Sequence, residues 1–265
     1  MIDSKTYEIT KIDDMTYAFS GVLPDDCIVR FYLLLGEKKN LLIDSGFLNV
    51  DIKALVSDMS ADHEVPVPAA DISADHPSSD DNIFSRELIL INTHGDFDHT
   101  AGNVFFDSFY MTAEDYEKCH IKELCPDSRC IPVFDDMQID LGGRIIKVIE
   151  TPGHTYGSIS LLDVTNRILF PGDMVQDGTM FMFGEHRAPR LLAGSLKKLA
   201  AAGGFDKIYT SHGSVILKPE DINKVYDSWQ QLLSKSVVPV KAEALGQIVN
   251  LYNCSFCNFF TDCSL

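Results

Sequence analysis

Four apolar runs in this chain each break off at a turn that carries a histidine or an aspartate beside a glycine. "ILINTHGDFDH" delivers His94, Asp96, Asp98 and His99, and "KVIETPGH" delivers His154. "ILFPGD" delivers Asp173, and "KIYTSHG" delivers His212. Gly95, Gly153, Gly172 and Gly213 sit next to these groups, where a residue without a side chain lets the backbone leave a strand sharply. If the strands share a sheet edge, all seven side chains meet at one place. Imidazole nitrogens and carboxylate oxygens are donors for Zn²⁺, Fe and Mn²⁺. Seven donors exceed what one tetrahedral ion takes; they suit two ions bridged by a carboxylate, with positions left for water. A histidine taken singly is usually surface or satisfied core, but four of the eight histidines fall at these strand ends.

The rest of the pattern is mixed. "FYLLL" and "NLLID", on either side of Gly36-Glu-Lys-Lys, read as a hairpin, and "ELILIN", "IIKVIE", "ISLLDV", "RILF" and "DKIYT" as further strands. "SLKKLAAAGG" reads as a helix capped by Ser195 and ended at Gly203. "KPEDINKVYDSWQQLLSK" reads as a second, with Pro219 and two acids in its first turn. Such alternation implies packed α/β layers, in a single domain over residues 1–265. Residues 57–85 depart from it, with seven acids, three prolines and no Lys or Arg. That composition builds little core and predicts an exposed insertion, a lid or a tolerated loop, with His63 and His76 in solvent.

Composition narrows the partners. A net charge of −17 over 265 residues opposes simple nucleic-acid binding and docking on anionic membranes. The uncharged run from Ala244 to Thr261 is punctuated by Gln247, Asn250, Asn253, Ser255 and Asn258, which are costly in lipid; two short strands and a turn fit it better. The start "MIDSKTYEITKIDD" has no apolar signal core, and seven cysteines is an odd count. Both fit a reduced, cytoplasmic protein. "NCSFCNFFTDC" and "CHIKELCPDSRC" contain too little paired C-x-x-C spacing for a zinc site, and buried free thiols are expected there.

The order H-x-D-x-D-H, G-H-T, G-D, H-G, together with "NLLIDSGF", "TPGHTYGSISLL" and "LFPGDMV", resembles the metallo-β-lactamase-fold hydrolases, which include glyoxalase II-like thioesterases and lactonases. The resemblance implies a four-layer αβ/βα sandwich with metals at one edge of two packed sheets. By position, His94 and His154 would bind a first ion with whatever stands at position 96. Asp98, His99 and His212 would bind a second, and Asp173 would bridge. Asp44 in "LIDSG" would orient a ligand histidine from behind.

Family members usually carry histidine where this chain has Asp96. Aspartate is itself a ligand, and flavodiiron proteins, which are similar here, carry glutamate. Asp96 is therefore expected to bind metal, zinc foremost, with Fe or Mn²⁺ favoured somewhat by the more anionic shell. The implied reaction is hydrolysis of a small ester, thioester, lactone or amide by a hydroxide generated at the metal, with Asp98 as the catalytic base. Two alternatives stay open: an iron-dependent oxidoreductase on the same scaffold, and a non-catalytic metal-binding module. Nuclease members of the β-CASP kind carry a larger insertion. Lys218, Lys224, Lys235 and Lys241 are the only bases after His212, which disfavours glutathione thioesters. In "GTMFMFGEHRAPR", Met180 to Phe183 are candidates for an apolar pocket wall, His186, Arg187 and Arg190 for anion contacts, and Tyr156 for a substrate hydrogen bond.

Overall fold

A computed structural model of the protein describes residues 7–23, 26–59 and 82–262. Its first seven strands form one sheet in chain order: β1 Glu8–Asp13, β2 Thr16–Val22, β3 Ile28–Leu34, β4 Lys39–Ile43, β5 Glu87–Ile91, β6 Ser108–Met111 and β7 Arg129–Pro132. The first four run antiparallel, including the expected β3–β4 hairpin, and β4 to β7 run parallel. A six-stranded sheet contains β8 Gln138–Asp140, β9 Ile145–Glu150, β10 Ile159–Asp163, β11 Ile168–Phe170, β13 Lys207–Tyr209 and β14 Ile216–Leu217. Between these in the chain lies β12 Thr179–Met182, which joins β15 Val240–Ala244, β16 Gln247–Asn253 and β17 Asn258–Thr261 in a third sheet.

The two large sheets pack face to face. Tyr32, Leu34, Leu41, Ile43 and Ile91 from one meet Ile146, Val148, Ile159, Leu161 and Phe170 from the other in a common buried core. Alternate residues of the same strands point outward. Phe31, Leu33, Leu42 and Leu90 pack with Ile52 and Val56 of α1 (Ile52–Ser57). The short helices α2 (Phe97–Thr100), α3 (Ala113–Lys118) and α4 (Ile121–Leu124) follow on this half of the chain, with Ile121 in the same cluster. On the other side, Leu162, Leu169 and Ile208 pack with α5 (Pro189–Ala202) and α6 (Asp221–Leu233) through Leu192, Leu196, Val225 and Trp229. Helix, sheet, sheet and helix thus form the four layers expected. Because both faces of the central strands are covered, their sequences are continuous apolar runs rather than alternating ones.

Three local expectations change. Ser195 is not a cap; α5 begins six residues earlier at Pro189, whose fixed φ and missing N–H suit a first helical position. Ser195 is buried within the helix and donates to the Pro152 carbonyl at 2.6 Å, while Gly203 ends it at φ +55° as expected. Pro219 precedes α6 rather than opening it, and the Asp221 side chain accepts the Lys218 N–H at 2.8 Å. Of the expected insertion, residues 57–59 and 82–85 are described; Ser57 closes α1 and Phe84 is buried in a 3₁₀ turn. His63, His76 and Cys263 lie outside the described residues. The 244–261 run is β16, a turn and β17. Among the described residues no helix is long and apolar enough to cross a membrane.

Candidate metal centre

Every donor follows the carboxyl end of a strand. β4 and β5 are parallel neighbours, ending at Ile43 and Ile91. β11 and β13 are parallel, and β9 points the same way because each pairs antiparallel with β10 or its neighbour. The ends of five strands therefore converge on one rim of the sandwich. The glycines serve this in two ways. Gly172 and Gly213 have positive φ, +54° and +68°, whereas Gly95 and Gly153 admit close neighbours: a side chain there would run into Cys119 and into the backbone of Leu192.

All seven side chains predicted from the sequence meet at that rim. His99 Nε2 lies 3.6 Å from Asp98 and 3.3 Å from Asp173; His212 Nε2 lies 3.4 and 3.3 Å from the same two carboxylates. His154 Nε2 is 3.5 Å from Asp173 and 3.1 Å from Asp96, and His94 Nε2 is 3.6 Å from Asp96. Two compact donor sets result, His94/His154/Asp173 and Asp98/His99/His212. His94 Nε2, His99 Nε2 and Asp173 Oδ1 are buried without a hydrogen-bond partner. Such orphaned atoms are costly unless something binds them, and nitrogen lone pairs beside carboxylate oxygens are what a divalent ion accepts. The residues fit a metal.

The imidazoles are held from behind. Asp44 Oδ2 lies 2.8 Å from His99 Nδ1 and accepts the Thr93 hydroxyl at 2.8 Å. That hydroxyl, having given its proton to Asp44, accepts from His94 Nδ1 at 3.0 Å. One carboxylate thus sets the tautomer of two histidines so that both Nε2 atoms face the cavity. Asp44 has φ +65°, a backbone cost of about 1 kcal/mol or more borne at the junction of β4 with the site. His212 Nδ1 bonds the Ile28 carbonyl at 2.9 Å, which turns its Nε2 the same way.

Charges decide the protonation states. Burial disfavours the His99 and His212 imidazolium forms, but Asp173 and Asp98 outweigh it and raise both well above the usual value. Burial opposes ionisation of Asp173 too, yet His212, His99 and His154 hold its carboxyl well below the usual range. His154 differs: burial, then the Arg187 guanidinium, push it down to about 4, so the ring is neutral at neutral pH and its Nε2 can accept from Arg187 Nη1, 3.0 Å away.

Two residues at the site carried no signal for their roles. Asp115, fully buried, accepts the Gly95 N–H at 2.8 Å, the Gly157 N–H at 2.6 Å and the Thr155 hydroxyl at 2.7 Å. It ties the loop bearing His94 to the loop bearing His154, and nothing in its sequence surroundings marks it. Arg187, read above as an anion contact, is buried and grips Asp96 with both terminal nitrogens, at 2.9 and 2.6 Å. Asp96 therefore stands beside the donors already paired, with His186 Nε2 a further 3.2 Å away.

A cavity of about 390 Å³ opens over the centre, lined by Leu23, Phe97, Phe181, Phe183, Leu245 and Gln247 around Asp98, Asp173 and His212. Phe181 and Phe183 form the wall expected, but Met180 and Met182 point the other way into the core, as alternation along β12 requires. Arg190 is exposed on α5, and Tyr156 lies under the Lys118 ammonium at 4.5 Å; neither lines the cavity. A larger hollow of about 650 Å³ beside α1 contains none of the seven donors. Among the described residues no cysteine joins a donor set.

Solved structures share this architecture. A metallo-beta-lactamase from Pontibacter korlensis superposes with a TM-score of 0.66 at 13% identity, covering 85% of this chain and 99% of that one. One from Hirschia baltica gives 0.59 at 16%, covering 84% and 97%. In sequence, a probable metallo-hydrolase of Methanocaldococcus jannaschii is 26% identical over 212 residues, 69% of this chain and 87% of that one. An acyl-coenzyme A thioesterase of Gallus gallus is 27% identical over 57% of this chain and 59% of its own length. A hydroxyacylglutathione hydrolase of Rhodospirillum rubrum is 30% identical over 46% and 47%. The match thus spans less than two thirds of either of these last two. Residues 88–234, more than half the chain and the segment carrying all seven strand-end donors, match the family model of the metallo-beta-lactamase superfamily, and the chain belongs to that superfamily.

Proposed function

We propose that this protein is a metal-dependent hydrolase that cleaves a small acyl ester or thioester whose acyl part is apolar. The observation that carries the reading is the pair of partnerless buried atoms His99 Nε2 and Asp173 Oδ1, next to a cavity with phenylalanine and leucine walls that Asp98, Asp173 and His212 line. Asp98, His99 and His212 would hold a divalent ion, with Asp173 beside them; His94, His154 and Asp173 form the second donor set. A bound divalent ion supplies a hydroxide nucleophile at neutral pH and polarises a carbonyl oxygen.

The remaining work falls to the chain's own groups. Asp98 is the most open of the clustered aspartates, its side chain 21% exposed against 9% for Asp173. Its carboxylate would orient the attacking water and take up its proton. Asp44 and the Ile28 carbonyl keep His99 and His212 from turning. Phe181, Phe183, Leu23 and Leu245 would hold the acyl chain and keep bulk water from the floor, each buried methylene contributing about 0.8 kcal/mol. The thioesterase among the sequence relatives agrees with such a substrate. Zinc is the ion that the histidine-rich donors suit best; Fe and Mn²⁺ remain compatible with their two aspartates.

The test is a panel of acyl thioesters, esters and lactones of graded chain length, assayed before and after chelation. Chelator-sensitive turnover that improves with acyl length is expected. Turnover indifferent to chelator rejects the reading, and oxygen consumption by iron-loaded protein in place of hydrolysis would move it to the oxidoreductase alternative.

A further inference from the structure

We propose that the Arg187 guanidinium occupies the place of the first metal ion, so that the protein works with a single ion at Asp98, His99 and His212. The proposal rests on the metal-dependent reading above and specifies how many ions that reading involves.

The geometry is that of a cation seated among ligands. Arg187 Nη1 is 2.9 Å from Asp96 Oδ1 and 3.0 Å from His154 Nε2, and Nη2 is 2.6 Å from Asp96 Oδ2. Two of the three side chains expected to bind the first ion are thereby used. The third, His94, directs its partnerless Nε2 to the same spot, 3.6 Å from Asp96. An ion on His154 Nε2 would sit about 2.0–2.1 Å out along the lone pair. The guanidinium nitrogen already stands 3.0 Å from that same ring nitrogen and, having only N–H groups, can meet it only through this lone pair. The two would lie within roughly 1–1.5 Å of each other, closer than any nitrogen and metal can approach, and both are positive.

Arg187 is held there rather than visiting. Its segment is pinned to the His154 loop by two backbone bonds, Tyr156 N–H to His186 O at 3.1 Å and Ala188 N–H to Gly153 O at 3.0 Å. With the residue 8% exposed, its charge needs a full partner, and Asp96 supplies a bidentate one. This accounts for the departure at position 96. A histidine offers one acceptor nitrogen and cannot receive a fork of two N–H groups, whereas a carboxylate can. Charge balance is compatible: the three carboxylates of Asp96, Asp98 and Asp173 are matched by one divalent ion and one guanidinium.

Metal stoichiometry tests this without an activity assay. Wild-type protein loaded with excess Zn²⁺ and desalted should hold one equivalent, and Arg187→Met, which keeps the bulk and removes the charge, should hold two. Two equivalents in the wild type, or one in Arg187→Met, overturns the proposal. None in the wild type overturns the metal-dependent reading beneath it, a different failure. Should Arg187→Met not fold, Mn²⁺-loaded wild type decides by electron paramagnetic resonance. An isolated Mn²⁺ spectrum is expected, and an exchange-coupled pair refutes the idea.

Discussion

Replacing Asp115 by alanine removes a buried carboxylate that ties the backbones of the two loops bearing His94 and His154. Three donors, the Gly95 and Gly157 N–H groups and the Thr155 hydroxyl, would then face a dry gap, because the Asp115 side chain is wholly buried. Each unpaired buried donor costs about 1–3 kcal/mol, so allowing for local relaxation the loss is about 3–6 kcal/mol. Set against a typical total stability of about 5–15 kcal/mol, this should lower the urea midpoint by about 1–2 M. Asp115→Asn keeps one acceptor oxygen and turns an N–H₂ toward a donor, so roughly half that loss is expected. Burial raises the Asp115 carboxyl above its ordinary value, although its three hydrogen bonds and nearby His94 pull against this. The folded form therefore holds the proton longer than the unfolded one, and this residue's contribution declines as pH rises from the ordinary carboxylate pKa through the raised one. Asp115→Asn should flatten that part of the stability profile. Urea titrations from pH 4 upward, with metal content measured in parallel, check all three points. An Asp115→Ala protein whose midpoint and metal content match the wild type would show that the loops are positioned by something else.

Other outcomes follow from the same geometry. His212→Ala removes one of the three clustered donors and should abolish tight metal binding together with turnover, read by equilibrium dialysis and the acyl panel. Asp44→Ala frees the His99 and His94 rings and should weaken metal affinity about 10–100-fold, measured by competition with a chromophoric chelator; unchanged affinity would remove Asp44 from the account. Phe181→Ala together with Leu245→Ser should raise KM for long acyl substrates while leaving short ones and kcat nearly unchanged. Trp229→Ala empties a buried site against Phe259, whose ring centroid is 5.0 Å away, and should destabilise by about 3–5 kcal/mol without altering metal content.

Much of the centre was legible because strand ends and ligands coincide along the chain. Each of His94, His154, Asp173 and His212 follows a short apolar run, and a run of that kind can be read without knowing the sheet it joins. The neighbours that fix the chemistry were harder to see. Asp115 reaches Gly95 across twenty residues and Gly157 across forty-two, and no periodic pattern links such positions. Arg187 lies in a stretch whose bases suggest anion contacts, but its partner Asp96 is ninety-one residues away and meets it only because the 184–188 turn folds onto the His154 loop. The Ser195 cap was misplaced for a local reason, since Pro189 starts the helix and a buried serine can bond a distant carbonyl. The third sheet was half visible. β16 and β17 were readable as strands, yet the pairing of β17 with β12, almost eighty residues earlier, depends on tertiary packing around Trp229.

The most direct measurement is an anomalous difference map from crystals grown with Zn²⁺, collected on both sides of the zinc edge. One peak is predicted, about 2.0–2.2 Å from His99 Nε2, His212 Nε2 and an Asp98 oxygen, with the Arg187 guanidinium between Asp96 and His154. A map with no peak among those three side chains would contradict the account at its root.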